Sequence, residues 1–170
     1  MNKLYILCGL PFSGKSTLSK ELAKRLGFTR IDLDDVKFEL LGDDVNDDDI
    51  AQQDWDRIYQ EMYRRIESAL KEGKNVIHDT GNFTKYERGP VRQTADKLRR
   101  ETKTIYVDTP KEVCFERLLN NRKTKERFDI SDEAFQSTVE EMEVPSTDEN
   151  TILFHTDSSL ENWISENFNI

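Results

Sequence analysis

The sequence predicts an α/β protein in which helices cover both faces of a parallel β-sheet, giving three layers in a single domain over residues 1–170. The first observation is that short apolar runs alternate with longer segments whose apolar residues recur every three or four positions. The second is that most of the short runs end in Asp or His, or meet a glycine. In such sheets ligands bind beyond the carboxyl ends of the strands, so we expect functional residues at this edge.

Five of the apolar runs have the length and composition of strands. An apolar repeat at every fourth residue predicts a helix from near Lys15 to Gly27, and a longer apolar stripe over residues 55–70 predicts another. Two further helices are predicted to begin at serine caps, at Ser131 and at Ser158 or Ser159. The predicted strands cover residues 4–8, 28–32, 75–79, 104–108 and 151–155.

Proline marks two further positions along the chain. Residues 109–112 (Thr-Pro-Lys-Glu) predict a capping box with proline at the first helical position, leading into a helix that reaches about Arg122. Gly89 and Pro90 are predicted to break any helix that starts after Thr84, because proline lacks the N–H group that a helix interior needs. We therefore expect a short turn there and a new helix at Pro90.

The composition limits the classes of partner. The chain has 25 basic and 34 acidic residues and a net charge of −9, whereas proteins that bind nucleic acid normally carry a basic face. A nucleic-acid partner is therefore disfavoured. Cys8 and Cys114 stand apart from any CxxC pattern, which is typical of reduced thiols in a cytoplasmic protein. The apolar stretch 4–10 is too short to span a membrane, and the oligomeric state stays open.

Residues 42–56 contain seven aspartates. One interpretation is a solvated loop followed by a helix start, where negative charge meets the positive end of the helix dipole. The alternative is a flap that closes over a substrate.

Residues 9–16 (GLPFSGKS) match the phosphate-loop pattern GxxxxGK[ST], and they lie between an apolar run and an amphipathic segment, as the pattern requires. The glycines let backbone N–H groups converge on phosphate oxygens, and the following helix points its N-terminus at the same anion. Lys15 is predicted to reach the β- and γ-phosphates of ATP, and Ser16 to bind Mg²⁺. The predicted ATP-binding residues of the loop are Gly9, Pro11, Phe12, Ser13, Gly14, Lys15, Ser16 and Thr17.

The signature motifs of other classes of P-loop protein are absent from this sequence. The NKxD motif of GTPases and the LSGGQ motif of transporter ATPases are absent, and no strand ends in the Asp-Glu pair of hydrolysing motors. The chain is also short for a mechanical module. The small kinase class remains.

Polar residues follow the second and third predicted strands. Asp34 is predicted to be the general base that accepts the proton of the acceptor hydroxyl, with Asp35 as a helix cap or helper; the alternative is that both only cap the next helix. Asp79 and Asn82 are predicted to orient the acceptor or to hold Mg²⁺ through water, and the alternative is a turn-forming pair. His78 is expected to be a strand residue.

The stretch 117–127 is locally basic in an acidic protein and predicts a lid over about residues 120–130. A planar guanidinium stabilises the charge of a phosphoryl group during transfer, so we expect an arginine of the lid to contact the phosphates. Arg122 is the preferred candidate, and Arg127 is the second. The alternative is that these cations only stabilise the C-terminus of a helix.

Five segments in this order resemble the P-loop kinase family that includes the kinase domain of phage-type polynucleotide kinase, and the zeta-toxin and chloramphenicol-phosphotransferase kinases are similar but more distant. The resemblance covers about residues 3–157. The segments are 9–17, 32–35 (Asp-Leu-Asp-Asp), 79–82 (Asp-Thr-Gly-Asn), 107–110 (Val-Asp-Thr-Pro) and 122–123 (Arg-Lys).

The resemblance implies a kinase-type P-loop NTPase fold with five parallel strands in the order 2-3-1-4-5. It implies Asp34 as general base, Lys15 and Ser16 at the phosphates and the metal, and Arg122 as the lid arginine. Polynucleotide kinases carry Arg where this chain has Leu33, and they have an Asp-Thr-Asn run where it inserts Gly81. Both differences lie on the acceptor side and disfavour a nucleic-acid acceptor.

The sequence therefore predicts an ATP- and Mg²⁺-dependent kinase that phosphorylates a hydroxyl group of a small molecule. One alternative is a 5′-hydroxyl polynucleotide or tRNA kinase. Another is a nucleotide-binding regulator with little turnover.

Overall fold

The computed structural model describes residues 1–42, 45 and 47–168. Within these residues, five parallel strands form one sheet in the order β2-β3-β1-β4-β5. The parallel pairing and the strand order confirm the predicted fold class. The strands are β1 (Leu4–Cys8), β2 (Thr29–Asp32), β3 (Val76–Asp79), β4 (Thr102–Asp108) and β5 (Thr151–His155).

Helices connect the strands and cover the sheet. Short 3₁₀ turns lie at Asp47–Asp49 and Thr147–Glu149. The helices are α1 (Lys15–Leu26), α2 (Leu33–Leu41), α3 (Gln52–Lys71), α4 (Lys85–Asp96), α5 (Lys111–Thr124), α6 (Asp132–Glu141) and α7 (Leu160–Asn167).

Side chains along β1 alternate between two hydrophobic cores, one on each face of the sheet. Leu4 and Ile6 pack with residues of α3 and α4, whereas Tyr5 and Leu7 pack with residues of α1 and α7. All four side chains are buried, which explains why this central strand is continuously apolar. Its carboxyl end leads directly into the phosphate loop.

The predicted break at Gly89 and Pro90 is wrong, because α4 runs through both residues. Thr84 and Glu87 start the helix with a reciprocal capping box, in which Thr84 Oγ1 accepts from the N–H of Glu87 at 3.2 Å. The carbonyl that Pro90 leaves without a helical donor belongs to Tyr86, a residue that is 88% exposed. Water can satisfy this carbonyl, so the proline is tolerated.

The predicted capping box at residues 109–112 is also wrong. α5 begins one residue later than predicted, after Pro110, and its N-terminus has no side-chain cap. The Thr109 hydroxyl is buried and donates instead to the carbonyl oxygen of Ser13 at 2.8 Å. Thr109 therefore fixes the phosphate loop to the end of β4.

The acidic segment is only partly covered by the structure. Asp43, Asp44 and Asn46 lie outside the described residues, so the loop and flap alternatives for residues 42–56 both stay predictions. The predicted acidic helix start is present, since Asp54 lies in the first turn of α3. Across the described residues, no helix combines the length and the apolar character needed to cross a membrane.

Candidate active site

The loop between β1 and α1 has a backbone shape that requires glycine at its first position. Gly9 has φ +152°, and a Cβ atom there would lie 2.7 Å from the carbonyl oxygen of Val107 and 2.9 Å from Ser13 Oγ. Phe12 also has a positive φ, 62°, and Gly14, at φ 106°, precedes the first residue of α1 without a side-chain cap. The N–H groups at the start of α1 therefore stay open to an anion.

Among the described residues, two polar side chains of this loop have no hydrogen-bond partner outside it. Lys15 Nζ donates to the carbonyl oxygens of Gly9, at 2.6 Å, and Leu10, at 2.7 Å. Burial lowers the pKa of Lys15 to about 8. The Ser13 hydroxyl is buried and has no hydrogen-bond partner in the part of the chain that the structure describes. An anion held by the loop would give both groups a better partner than the loop itself offers.

Asp79, at the end of β3, lies against the first turns of α1. Its Oδ1 accepts from Ser16 Oγ at 3.3 Å, and its Oδ2 accepts from Ser19 Oγ at 2.5 Å and from Arg30 Nε at 2.8 Å. The structure thus brings together Ser16 and Asp79, the two predicted metal ligands. Their role in binding a metal stays a prediction.

Asp32 is part of this cluster, although the sequence reasoning does not single it out. It pairs with Asp79 in the register of β2 and β3. Its Oδ1 accepts from the N–H groups of Asp34, at 2.7 Å, and Asp35, at 3.4 Å, so Asp32 caps α2. The prediction that Asp34 or Asp35 is the cap is therefore wrong. Burial and, after it, the charge of Asp79 raise the pKa of Asp32 to about 6, although Arg30 opposes this.

Arg30 is the second residue that the sequence reasoning misses. Its guanidinium contacts the carboxylates of Asp32, Asp35 and Asp79. The sequence did contain a sign of this pairing: side chains two residues apart in a β-strand lie on the same face, so residues 30 and 32 share a side of β2. A basic residue two positions before a strand-end aspartate therefore indicates a charge pair at that edge.

Asp34 and Asp35 lie in the first turn of α2, and their carboxylates are 68% and 63% exposed. Asp34 Oδ1 lies 3.0 Å from Lys37 Nζ, which is buried and also lies 2.7 Å from Asp47. A side chain at the rim, held by one lysine, can meet an acceptor that arrives from solvent. The assignment of Asp34 as general base stays a prediction, and so does a substrate contact for Asp35.

Asn82 is 4% exposed, and its side-chain amide is used inside the protein. Its Nδ2 donates to the carbonyl oxygen of Leu7 at 2.8 Å and lies 3.1 Å from His78 Nδ1. Burial lowers the pKa of His78 to about 4, so the ring is neutral near pH 7 and its Nδ1 accepts from Asn82. The side-chain N–H groups of Asn82 therefore hold the loop after β3, and its role in orienting the acceptor or in holding Mg²⁺ through water stays a prediction.

The two predicted lid arginines make different contacts. Arg122 Nε lies 3.1 Å from Asp129, and its Nη2 contacts Asp132 at 2.7 Å and the carbonyl oxygen of Ile130 at 2.8 Å. These contacts tie the end of α5 to the start of α6. Of these two arginines, Arg127 contacts the phosphate loop; which of them binds a phosphate stays a prediction.

Two other guanidinium groups meet the phosphate loop. Arg127 Nη2 lies 3.4 Å from Ser16 Oγ, and its guanidinium lies 5.7 Å from the centre of the Phe12 ring. Arg117 Nη1 donates to the carbonyl oxygens of Phe12 and Ser13, both at 3.1 Å. Arg117 begins the basic stretch seen in the sequence, but its spacing alone gave no reason to prefer it.

A cleft of about 670 Å³ opens beside the phosphate loop, between α1, α5 and the segment that follows β5. This volume lies in the range of small-molecule sites. Its lining includes side chains with flat groups and side chains that form hydrogen bonds. They are Phe12, Arg117, Asn120, Arg127 and Thr156.

In the part of the chain that the structure describes, no three His, Cys, Asp or Glu side chains are arranged to hold a metal ion by themselves. A metal at Ser16 and Asp79 would need further ligands from water or from a bound phosphate. This is the usual situation for Mg²⁺, which keeps several waters and binds through one or two carboxylates and substrate phosphates.

The chain is similar to known proteins over most of its length. A family model described as AAA domain matches residues 4–145. Shikimate kinase of Persephonella marina is 30% identical over 117 residues, which cover 69% of this chain and 67% of that protein. L-seryl-tRNA(Sec) kinase of Methanococcus maripaludis is 29% identical over 149 residues, which cover 85% of this chain and 54% of that protein.

The chain spans at most about two thirds of the length of these curated relatives. A crystal structure of a candidate kinase from Chloroflexus aurantiacus covers 97% of both chains with a TM-score of 0.77 and 20% identity, a likeness that shows the fold. The family model spans β1 to the segment after α6. The chain therefore belongs to the AAA domain family and, among P-loop proteins, to the kinase group that these relatives represent.

Proposed function

We propose that the protein is an ATP-dependent kinase that transfers the γ-phosphate of ATP–Mg²⁺ to a hydroxyl group of a small-molecule acceptor. The observation that carries this proposal is the position of the phosphate loop between two polar regions. The cleft lined by Arg117 and Arg127 lies on the β4–β5 side of the loop, and the carboxylates that follow β2 and β3 lie on the other side. Transfer between two substrates needs a donor and an acceptor on opposite sides of the phosphate.

The loop residues fit a phosphate chain. The positive φ of Gly9 and Gly14 and the open N-terminus of α1 form a concave set of N–H donors. Ser13 Oγ is a buried hydroxyl that no other described residue bonds. Lys15 would exchange its two loop carbonyls for the β- and γ-phosphate oxygens, to which a cation bonds more strongly.

The cleft fits the nucleoside part of ATP. Arg127 lies over the Phe12 ring, and Arg117 holds the carbonyl groups of the loop beside it. A planar base can pack on the open face of a flat group such as an arginine or an aromatic ring. This assigns the donor to the cleft and leaves the β2–β3 side for the acceptor.

The carboxylate cluster fits Mg²⁺ next to the phosphates. Asp32, Asp35 and Asp79 surround one guanidinium, that of Arg30, so two negative charges are left if all three are ionised. Ser16 Oγ and Asp79 Oδ1 would hold the ion, which neutralises charge on the phosphate oxygens when it is bound.

Asp34 is the proposed general base for the transfer. The acceptor oxygen attacks the γ-phosphorus and forms a new P–O bond, and the bond from that phosphorus to the bridging oxygen breaks, so that ADP leaves with this oxygen. Asp34 takes the hydroxyl proton. Lys15 and Arg127 stabilise the charge of the phosphoryl group during transfer.

A 5′-hydroxyl polynucleotide or tRNA kinase is the second candidate, and the relation to L-seryl-tRNA(Sec) kinase supports it. The charges on the acceptor side oppose it. Asp34 and Asp35 are exposed there, and Lys37 is buried between Asp34 and Asp47. A polyanionic acceptor would bring its phosphates to this acidic edge, so we favour a small acceptor.

The proposal is tested by ADP release from ATP–Mg²⁺ in the presence of candidate acceptors. The panel contains shikimate, sugars and sugar acids, nucleosides, antibiotics, seryl-tRNA and a 5′-hydroxyl oligonucleotide. We expect at least one small hydroxyl compound to raise ADP release about tenfold or more in the wild type and not in Lys15→Ala. Stimulation by the nucleic acids alone would establish the second candidate instead.

A further inference from the structure

Arg30 lies at the centre of the carboxylate cluster. Its Nε donates to Asp79 Oδ2 at 2.8 Å, its Nη1 to Asp35 Oδ2 at 3.0 Å, and its Nη2 to Asp32 Oδ2. Nε also lies 2.9 Å from Ser19 Oγ. A single guanidinium thus joins the last residues of two strands to the first turn of α2.

This position follows from the sheet order. β2 is an edge strand that pairs only with β3 among the described strands, and Asp32 lies opposite Asp79 in their register. Arg30 shares a side of β2 with Asp32, so its guanidinium can contact the carboxylates of both Asp32 and Asp79. Its side chain is 16% exposed and that of Asp79 is 2% exposed, so water competes little with these hydrogen bonds.

The two oxygens of Asp79 are used differently. Oδ2 accepts two short hydrogen bonds, from Ser19 Oγ at 2.5 Å and Arg30 Nε at 2.8 Å. Oδ1 accepts one long hydrogen bond, from Ser16 Oγ at 3.3 Å. Because Oδ2 is held by two donors, the carboxylate cannot rotate freely, and Oδ1 faces the phosphate loop.

We propose that Arg30 is a positioning residue, which fixes Asp79 so that Oδ1 and Ser16 Oγ present a preformed pair of ligands to the Mg²⁺ of ATP. This inference rests on the proposed function, since it concerns the same phosphate site. Arg30 acts through Asp79 and does not itself contact the phosphate loop. The same guanidinium holds Asp35, so it also links the metal side of the site to the acceptor side.

A lysine at this position would not replace the arginine. An ammonium group is a point charge, whereas three nitrogens of the guanidinium each point at a different aspartate. Arg30→Lys therefore keeps the charge but loses the orientation of Asp79. Arg30→Gln loses both.

The test is Mn²⁺ binding to the full-length protein saturated with a non-hydrolysable ATP analogue, followed by electron paramagnetic resonance. Residues that orient metal ligands typically change metal affinity 10–100-fold. We expect Arg30→Gln to raise the Mn²⁺ dissociation constant by about 10–100-fold and Arg30→Lys to raise it less. The affinity for the analogue without metal should stay within about twofold of the wild type. Thermal unfolding of each variant, followed by circular dichroism, identifies any that fail to fold.

Two further variants keep the inference testable if Arg30→Gln does not fold. Ser19→Ala removes the other donor to Asp79 Oδ2 and is expected to weaken Mn²⁺ binding in the same direction. Arg57→Gln is the matched control, because Arg57 is an exposed arginine on α3 that pairs only with Asp54 among the described residues. It should leave the Mn²⁺ affinity unchanged.

The outcomes separate this inference from the proposed function. If folded Arg30→Gln and Ser19→Ala both bind Mn²⁺ within about twofold of the wild type, the positioning role is wrong and the kinase proposal stands. If the wild type binds the analogue neither with nor without Mn²⁺, both are overturned.

Discussion

Ser16 Oγ lies 3.3 Å from Asp79 Oδ1, although the two residues are 63 positions apart in the sequence. The contact forms because β3 lies beside β1, so the carboxyl end of β3 reaches the first turn of α1. It joins the phosphate loop to the carboxylates of the acceptor side. We expect substitutions in the phosphate loop to weaken ATP binding, and substitutions among the acceptor-side carboxylates to lower turnover with little effect on ATP affinity.

Lys15→Ala should lower turnover by at least about 10²-fold and weaken ATP binding, because the β- and γ-phosphates lose their fixed cation. The measurement is ADP release together with calorimetric titration of ATP. Lys24→Ala, an exposed lysine near the end of α1, is the control and should match the wild type. Unchanged ATP affinity in Lys15→Ala would mean that the loop does not hold the phosphates.

Asp34→Asn should leave ATP affinity nearly unchanged and lower turnover by about 10²–10⁴-fold, the range for the loss of a general base. Steady-state kinetics with a stimulating acceptor measure it, and Asp96→Asn, at the exposed end of α4, is the control. If folded Asp34→Asn keeps wild-type turnover, the assignment of the general base to Asp34 is wrong.

Arg127→Ala should lower kcat/KM for ATP by roughly 10–100-fold, because a charge-assisted hydrogen bond at a phosphate contributes about 1.5–3 kcal/mol. Arg122→Ala should have a smaller effect on kcat/KM, since its partners are Asp129 and Asp132. Kinetics of the two variants side by side provide the comparison. A larger loss in Arg122→Ala would restore the ranking that the sequence suggests.

Glu149→Gln should lower the free energy of unfolding by about 3–5 kcal/mol at pH 7, because it leaves the buried Arg88 guanidinium without its charged partner. Burial acts to raise the pKa of Glu149, but the hydrogen bonds and charges of Arg88 and Arg92 outweigh it and hold the pKa below the usual 4.5. The stabilisation is thus present above about pH 4.5 and is lost as pH falls through the lower folded-state pKa.

Urea unfolding at several pH values checks this prediction. The difference between the wild type and Glu149→Gln should be largest near neutral pH and shrink as Glu149 becomes protonated in acid. Glu140→Gln, on the exposed face of α6, should stay within about 0.5 kcal/mol of the wild type throughout. A Glu149→Gln effect that does not change with pH would show that the charge of Glu149 is not the source.

Local patterns predict the fold and the phosphate loop well. The loop from Gly9 to Ser16 depends on neighbouring residues. The rule that strand ends share one edge places Asp79 at the edge of the sheet where the loop lies, and its contact with Ser16 further requires that β3 lie beside β1. Ser131 and Ser159 cap α6 and α7 because the cap is also a local interaction. The loop and the two caps need no knowledge of tertiary contacts.

The features that the sequence reasoning misses depend on distant partners. Arg122 and Arg127 lie in the same basic stretch of the sequence, which does not show the partners of either. Arg122 meets Asp132 because α5 packs against α6. The sequence around Thr109 is that of a helix cap, but its hydroxyl donates to the carbonyl oxygen of the distant Ser13 instead. Arg30 gains its role from the pairing of β2 with β3, which a single strand does not reveal.

The most direct test of the central claim follows the γ-phosphate itself. The protein is incubated with ATP labelled at this phosphate and with the acceptor that most stimulates ADP release, and the products are separated. We expect label in an organic phosphate ester, with one ester formed per ADP, in the wild type and none in Lys15→Ala. Label found only as inorganic phosphate, or one ADP retained per protein without turnover, would contradict it.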